Sequence, residues 1–125
     1  MAESHSIEKR AREHLERYLA SCGRVVAPSD LKRFDLVVDG RYAELKAKNK
    51  PYKALDFFWL SESQYRAAQE GPDYTLFLVC GCAEGCEPEV FEIPSSRLRE
   101  VKPKSEIHYF YDKGLVDKLL SSGNA

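Results

Sequence analysis

At 125 residues, 43% of them apolar and 31% charged, the chain has the length and composition of one soluble globular domain, able to bury about two-thirds of its unfolded surface without disulfide or metal staples. No apolar run approaches the roughly 20 residues that a membrane span needs, and MAESHSIEKR lacks the apolar core of a signal peptide. The net charge of −1 gives no whole-molecule sign of a nucleic-acid partner. Four cysteines without a secretory signal point to reduced thiols and a cytoplasmic location.

In chain order, the first helix is expected over about Ser6–Cys22, capped by Ser4 or Ser6 and stopped by Gly23. On a wheel of about 100° per residue, Ile7, Ala11, Leu15, Tyr18 and Leu19 form one stripe. Glu8 falls inside that stripe, and Glu13 and Glu16 fall outside it. A carboxylate on a packing face is costly unless it is paired or binds a metal. The alternative for Glu8 is a half-exposed acid stabilised by the dipole at the helix start. His14 sits at the stripe's edge and reads as a surface or half-packed histidine.

Arg24–Ala27 reads as a short strand broken by Pro28-Ser29-Asp30. Phe34–Lys48 then reads as two strands joined by Asp39-Gly40, the strongest short-range signal for a two-residue hairpin. That turn sets Val38 opposite Arg41, Val37 opposite Tyr42, Leu36 opposite Ala43 and Asp35 opposite Glu44. Opposed side chains share a face about 5 Å apart, and the period of two adds Lys46 to the face of the two acids. Two neighbouring carboxylates repel, and a divalent cation between them removes the conflict. Asp35, Glu44 and the carbonyl of Leu45 make a half-shell suited to Mg²⁺ or Mn²⁺, which polarises a phosphodiester and acidifies a bound water. Lys46 then orients or deprotonates that water, or offsets charge on the phosphate. The bland alternative is a surface ladder in which Lys46 screens the acids.

From Arg24 to Lys53 there are eight basic and four acidic residues, which leaves the rest of the chain near −5. A locally basic hairpin suits a polyanion, and Lys48, Lys50 and Lys53 are candidate nucleic-acid contacts. It also reads as a solvated charged hairpin.

Tyr52–Leu60 is expected as a loop or extended piece packing on the core. Ser61–Glu70 reads as the second helix, with Ser61 and Gln64 as a capping box and Gly71-Pro72 as terminator. Gln64 is also placed near the carboxylate face as an accessory residue. Tyr74–Cys80 reads as a central strand covered on both faces, and Glu89–Ile93 as its hairpin partner. Pro94–Val101 suits a short helical turn, Ser105–Tyr111 is ambiguous, and Tyr111–Ser121 reads as a helix. Gly123-Asn124-Ala125 reads as a tail. Tyr109, Phe110 and Tyr111 read as core or partner contacts, with base stacking as the alternative. Cys80, Cys82 and Cys86 would need Cys22 or a distant histidine to complete a zinc site, so free thiols are expected. The element order gives an α/β sandwich with a mixed sheet.

The order of helix, Phe34-Asp35 and Glu44-Leu45-Lys46 resembles the PD-(D/E)xK nuclease superfamily, in particular the small restriction-endonuclease-like domain at the C-terminus of NO VEIN-type proteins. The corresponding pieces are Leu19–Gly23, Arg33-Phe34-Asp35, Tyr42–Lys46, Phe58–Ser61, Gln64 with Ala68, and Tyr74–Val79. The resemblance implies a single nuclease-like domain over 1–125, with a core of about 7–93 and a helical extension of about 94–121. It implies a mixed sheet with the catalytic-type hairpin at its middle, flanked by helices. It further implies a metal-dependent phosphodiesterase acting on DNA, with Asp35, Glu44 and Lys46 catalytic and Asp35, Glu44, Leu45 and Glu8 around the metal. Many such nucleases cut as homodimers, and some have lost catalysis and persist as modules that bind nucleic acid or protein. Three positions depart from the pattern: Arg12 aligns with the family's first-helix glutamate, Gln64 stands where the family often has Glu, and Ala47 follows the E-x-K.

Overall fold

The computed structural model describes residues 2–83 and 85–121, residues 2–5 by backbone alone. The elements run α1 (Ala2–Ser21), β1 (Val26–Pro28), β2 (Leu36–Val38), β3 (Arg41–Ala47), a 3₁₀ turn (Tyr52–Ala54), α2 (Glu62–Glu70), β4 (Tyr74–Cys80), β5 (Glu89–Pro94), α3 (Ser95–Glu100) and α4 (Lys113–Leu120). The strands form one sheet in the order β1-β2-β3-β4-β5. All neighbours are antiparallel except β3 and β4, which α2 joins as a parallel crossover. The fold is mixed α/β, a five-stranded mixed sheet flanked by helices, as the element order implies.

Each face of the sheet has its own apolar cluster. Ala11, Leu15 and Leu19 of α1 pack on Leu36, Val38, Ala43, Phe77 and Val79. On the opposite face, Ala68 of α2 packs with Phe34, Tyr74 and Leu76, and Leu98 of α3 closes over them. Phe34 stacks on Tyr42 with ring centroids 4.8 Å apart. Strand β4 is buried along almost its whole length, which explains its nearly continuous apolar sequence.

The helix ends follow local chemistry. Gly23, at φ +76°, closes α1 in a Schellman turn: Arg24 N donates to Leu19 O and Gly23 N to Ala20 O. Helix α2 opens on a reciprocal capping box between Ser61 and Gln64. Asp112 caps α4 by accepting from Leu115 N.

Several expectations are corrected. Helix α1 begins at Ala2, so Ser4 and Ser6 lie within it rather than capping it, and the side chain of Ser4 lies outside the described residues. Tyr18 is exposed although the wheel put it on the packing stripe, because the sheet contacts only the narrower line through Ala11, Leu15 and Leu19. Of the aromatic run after the 3₁₀ turn, Phe58 reaches the core, while Phe57 and Trp59 stay exposed. Tyr109, Phe110 and Tyr111 lie in a segment without regular structure and are exposed, so they are not core residues. The tail Gly123–Ala125 lies outside the described residues. Among the described residues no helix is long and apolar enough to cross a membrane.

Candidate functional site

The central hairpin turns at Asp39 and Gly40, with φ of 52° and 80°. This left-handed pair matches the right-handed twist of the strands. The turn sets the register Val38–Arg41, Val37–Tyr42 and Leu36–Ala43, as the Asp39-Gly40 signal implies. Asp39 is also tied down by its side chain, which accepts from Val25 N at 2.8 Å and from Arg24 Nε at 2.9 Å. These bonds hold its carboxyl below the usual carboxylate range.

The register ends before Asp35, which corrects the expected Asp35–Glu44 pair. Asp35 N donates to Ala43 O, the carbonyl of the residue that Leu36 already faces. Two residues of one strand therefore oppose one of the other, the pattern of a β-bulge, which re-aims the extra side chain. The Asp35 carboxylate turns to the strand edge, where Oδ2 accepts from Leu45 N at 2.7 Å.

Strand alternation divides the rest of the site. Ala43 and Leu45 face α1, while Glu44 and Lys46 face α2. There Gln64 joins them: its Nε2 donates to Glu44 Oε1 at 2.6 Å, and its Oε1 accepts from Lys46 Nζ at 2.9 Å. The same Oε1 accepts from Ser61 N at 2.9 Å. Gln64 thus caps α2 and links the glutamate and the lysine with one amide, so the capping residue also lies on the carboxylate face.

Glu44 is only 6% exposed. Burial, reinforced by the charge of Asp35, pushes its carboxyl up, against the pull of Lys46 and the Gln64 bond. Beside it Tyr74 is buried, and its hydroxyl has no hydrogen-bond partner among the described residues. Burial and the Glu44 charge push that phenol up to about 12.

On the α1 side a cleft of about 430 Å³ runs between the helix and the hairpin, lined by Glu8, Lys9, Arg12, Glu13, Glu16, Asp35 and Leu45. Glu8 is exposed on this cleft rather than placed on the packing face. Arg12 bridges Glu16 and the main chain of Asp35, each at 3.4 Å. Glu13 and Glu16, set aside by the wheel, share the cleft with Glu8. The spacing of Glu8, Arg12 and Glu16 at i, i+4 and i+8 was the available signal, since such residues line one side of a helix. Asp35 joins the two halves of the site, with Glu8 on one side of β3 and Glu44 and Lys46 on the other.

Among the described residues no group of three or more His, Cys, Asp or Glu side chains is gathered as a metal-ligand set. The donor chemistry still suits one hard cation. Hydrogen bonds from described residues engage Oδ2 of Asp35 and Oε1 of Glu44, so the second oxygen of each carboxylate would be the one offered to a cation. Mg²⁺ characteristically takes one or two carboxylates and keeps several waters. The cysteines are free thiols: Cys80 and Cys82 are buried, and Cys22 and Cys86 are exposed.

The three lysines beyond the E-x-K take different positions. Lys48 lies with Nζ 5.3 Å from the centre of the Phe57 ring. Lys50 pairs with Asp56 at 3.7 Å, and Lys53 is exposed on the 3₁₀ turn. No family model, curated protein or solved structure matches the chain.

Proposed function

We propose that the chain is a restriction-endonuclease-like domain that hydrolyses phosphodiester bonds in DNA with the help of Mg²⁺ or Mn²⁺. The observation that carries this reading is the Gln64 amide, which holds the buried Glu44 carboxylate and the Lys46 ammonium side by side. A buried carboxylate whose burial disfavours its charge costs stability, and such groups concentrate where chemistry requires them. The fold supports the same reading, since the hairpin that carries Asp35, Glu44 and Lys46 lies within the sheet beside the parallel β3–β4 pair.

Asp35, Glu44 and the Leu45 carbonyl would hold the cation, with Glu8 as an accessory from the cleft. When bound, the metal supplies Lewis-acid polarisation of the phosphate and a more acidic water. Lys46 places a positive charge where the phosphate gains negative charge, or holds the water for attack. Gln64 positions Lys46 and Glu44 relative to each other. Lys48, Lys50 and Lys53 attract the phosphate backbone.

The test is cleavage of plasmid and oligonucleotide DNA with Mg²⁺ or Mn²⁺. Activity that disappears with EDTA and with Lys46→Ala supports the assignment, and cleavage unchanged by Lys46→Ala removes it.

A second reading has its own support. The Asp35 carboxylate already satisfies Leu45 N, and Arg12 brings a cation to the cleft where the superfamily pattern has glutamate. These favour a non-catalytic module of the same fold that binds nucleic acid or a protein. It predicts no Mg²⁺ binding by calorimetry and no cleavage of any DNA form, with DNA binding indifferent to Asp35→Asn.

A further inference from the structure

Residues 55–60 run without regular structure between the 3₁₀ turn and α2, and alternation sorts their side chains. Phe58 turns in to the cluster of Phe34, Tyr74 and Leu76. Phe57 and Trp59 turn out, 53% and 49% exposed. Their ring centroids lie 5.0 Å apart in an edge-to-face arrangement, and the centroids of Trp59 and His108 lie 5.4 Å apart in a similar one. Two large rings half in water forgo part of the stabilisation that full burial gives.

Positive charge lies beside Phe57. Lys48 Nζ sits over the Phe57 ring, and Lys50 reaches Asp56, the residue before Phe57. From Lys46 to Leu60 the chain carries four lysines and one acid. Lysines alone suit any polyanion, and exposed rings alone suit any apolar partner. Rings interleaved with lysines match a ligand that alternates flat apolar faces with phosphates, which is a single nucleic-acid strand. A duplex hides those faces in its stack. Lys46 lies near the end of β3 and Lys48 just past it, so the Lys48–Phe57 contact stands two residues along the chain from the Glu44–Lys46 site.

We propose that Phe57 and Trp59 form a stacking platform for unpaired DNA bases, with Lys48, Lys50 and Lys53 holding the flanking phosphates. The choice of DNA rests on the proposed function. The platform itself needs neither a metal nor catalysis.

Trp59 is the only tryptophan in the chain, so intrinsic fluorescence reports on the platform directly. The whole chain is titrated in EDTA with a short mixed-sequence DNA strand, with a blunt hairpin duplex of the same composition, and with the matching RNA strand. The expected result is saturable quenching by the DNA strand and little by the duplex. Binding should fall with salt at a log–log slope of about −2 for three lysine contacts, and Lys48→Ala should reduce that slope by about 0.7. Phe57→Ala should weaken binding about tenfold, and circular dichroism checks that the variant folds. The proposal is overturned by an absence of quenching, by equal quenching with the duplex, or by quenching with RNA but not DNA. Quenching in EDTA without any cleavage in Mg²⁺ sinks the nuclease reading and keeps the platform. Duplex cleavage without quenching by the single strand does the reverse.

Discussion

The Gln64 amide donates to the buried Glu44 carboxylate at 2.6 Å while its own oxygen takes the Lys46 ammonium. One side chain therefore carries helix capping and site assembly together. Gln64→Ala should lower stability by about 2 kcal/mol, more than the roughly 1 kcal/mol of a lost cap, because the buried Glu44 oxygen also loses its donor. Ser61→Ala removes only the cap. Urea denaturation of the two variants measures the difference, and equal losses would mean that the bond to Glu44 adds nothing.

Glu44 gives stability a characteristic pH dependence. Its folded carboxyl titrates above the ordinary value of 4.5, chiefly because it is buried. Between those two values the folded state holds the proton more tightly than the unfolded state, so stability falls as pH rises through the window. Above the window the cost is fully present. Glu44→Gln removes the charge and keeps an oxygen for Gln64, so it should be more stable than the native chain at pH 7. The gap should close as pH falls toward 4.5. Denaturant melts across that range test it, and a gap that widens on acidification contradicts burial as the dominant cause.

Catalysis, if Lys46 acts on the phosphate or water, should fall by about 10²–10⁴-fold in Lys46→Ala with little change in DNA binding. Gel-based cleavage and anisotropy binding on the same preparations separate the two effects.

Tyr74 tests the environment on the other side of Glu44. Its hydroxyl is buried without a partner among the described residues, and an unsatisfied polar group of this kind costs about 1–3 kcal/mol. Tyr74→Phe should leave stability unchanged or raise it by up to about 1 kcal/mol. A loss of stability in calorimetry would show that the hydroxyl serves Glu44 or a water.

The turn has a conformational requirement. Gly40 sits at φ +80°, and no atom of the described residues lies within 4 Å of the position a Cβ would take. Gly40→Ala therefore meets no clash and should cost only the left-handed penalty, about 1–2 kcal/mol, read from the shift of the urea midpoint. A β-branched residue there should cost more.

The Ser61–Gln64 box, the Gly23 stop and the Asp39-Gly40 turn were legible in the sequence because each depends on neighbours within a few residues. So were β4, from its nearly continuous apolar run, and the first three hairpin pairs, because a two-residue turn fixes register without help from the rest of the chain. Tertiary structure decided what happens one residue further on. The ladder stops at Leu36, the bulge turns Asp35 toward Leu45 N, and the expected Asp35–Glu44 pair does not form. It also decided which side chains complete the site. Packing α2 against the sheet brings Gln64 to Glu44 and Lys46 across 20 and 18 residues of sequence, and docking α1 brings Glu8, Arg12 and Glu16 to the cleft beside Asp35. Turn and cap energies act over a few bonds, so the sequence displays them. Burial of Glu44 and the partners it acquires depend on which surfaces meet when the layers close, and no local pattern encodes that.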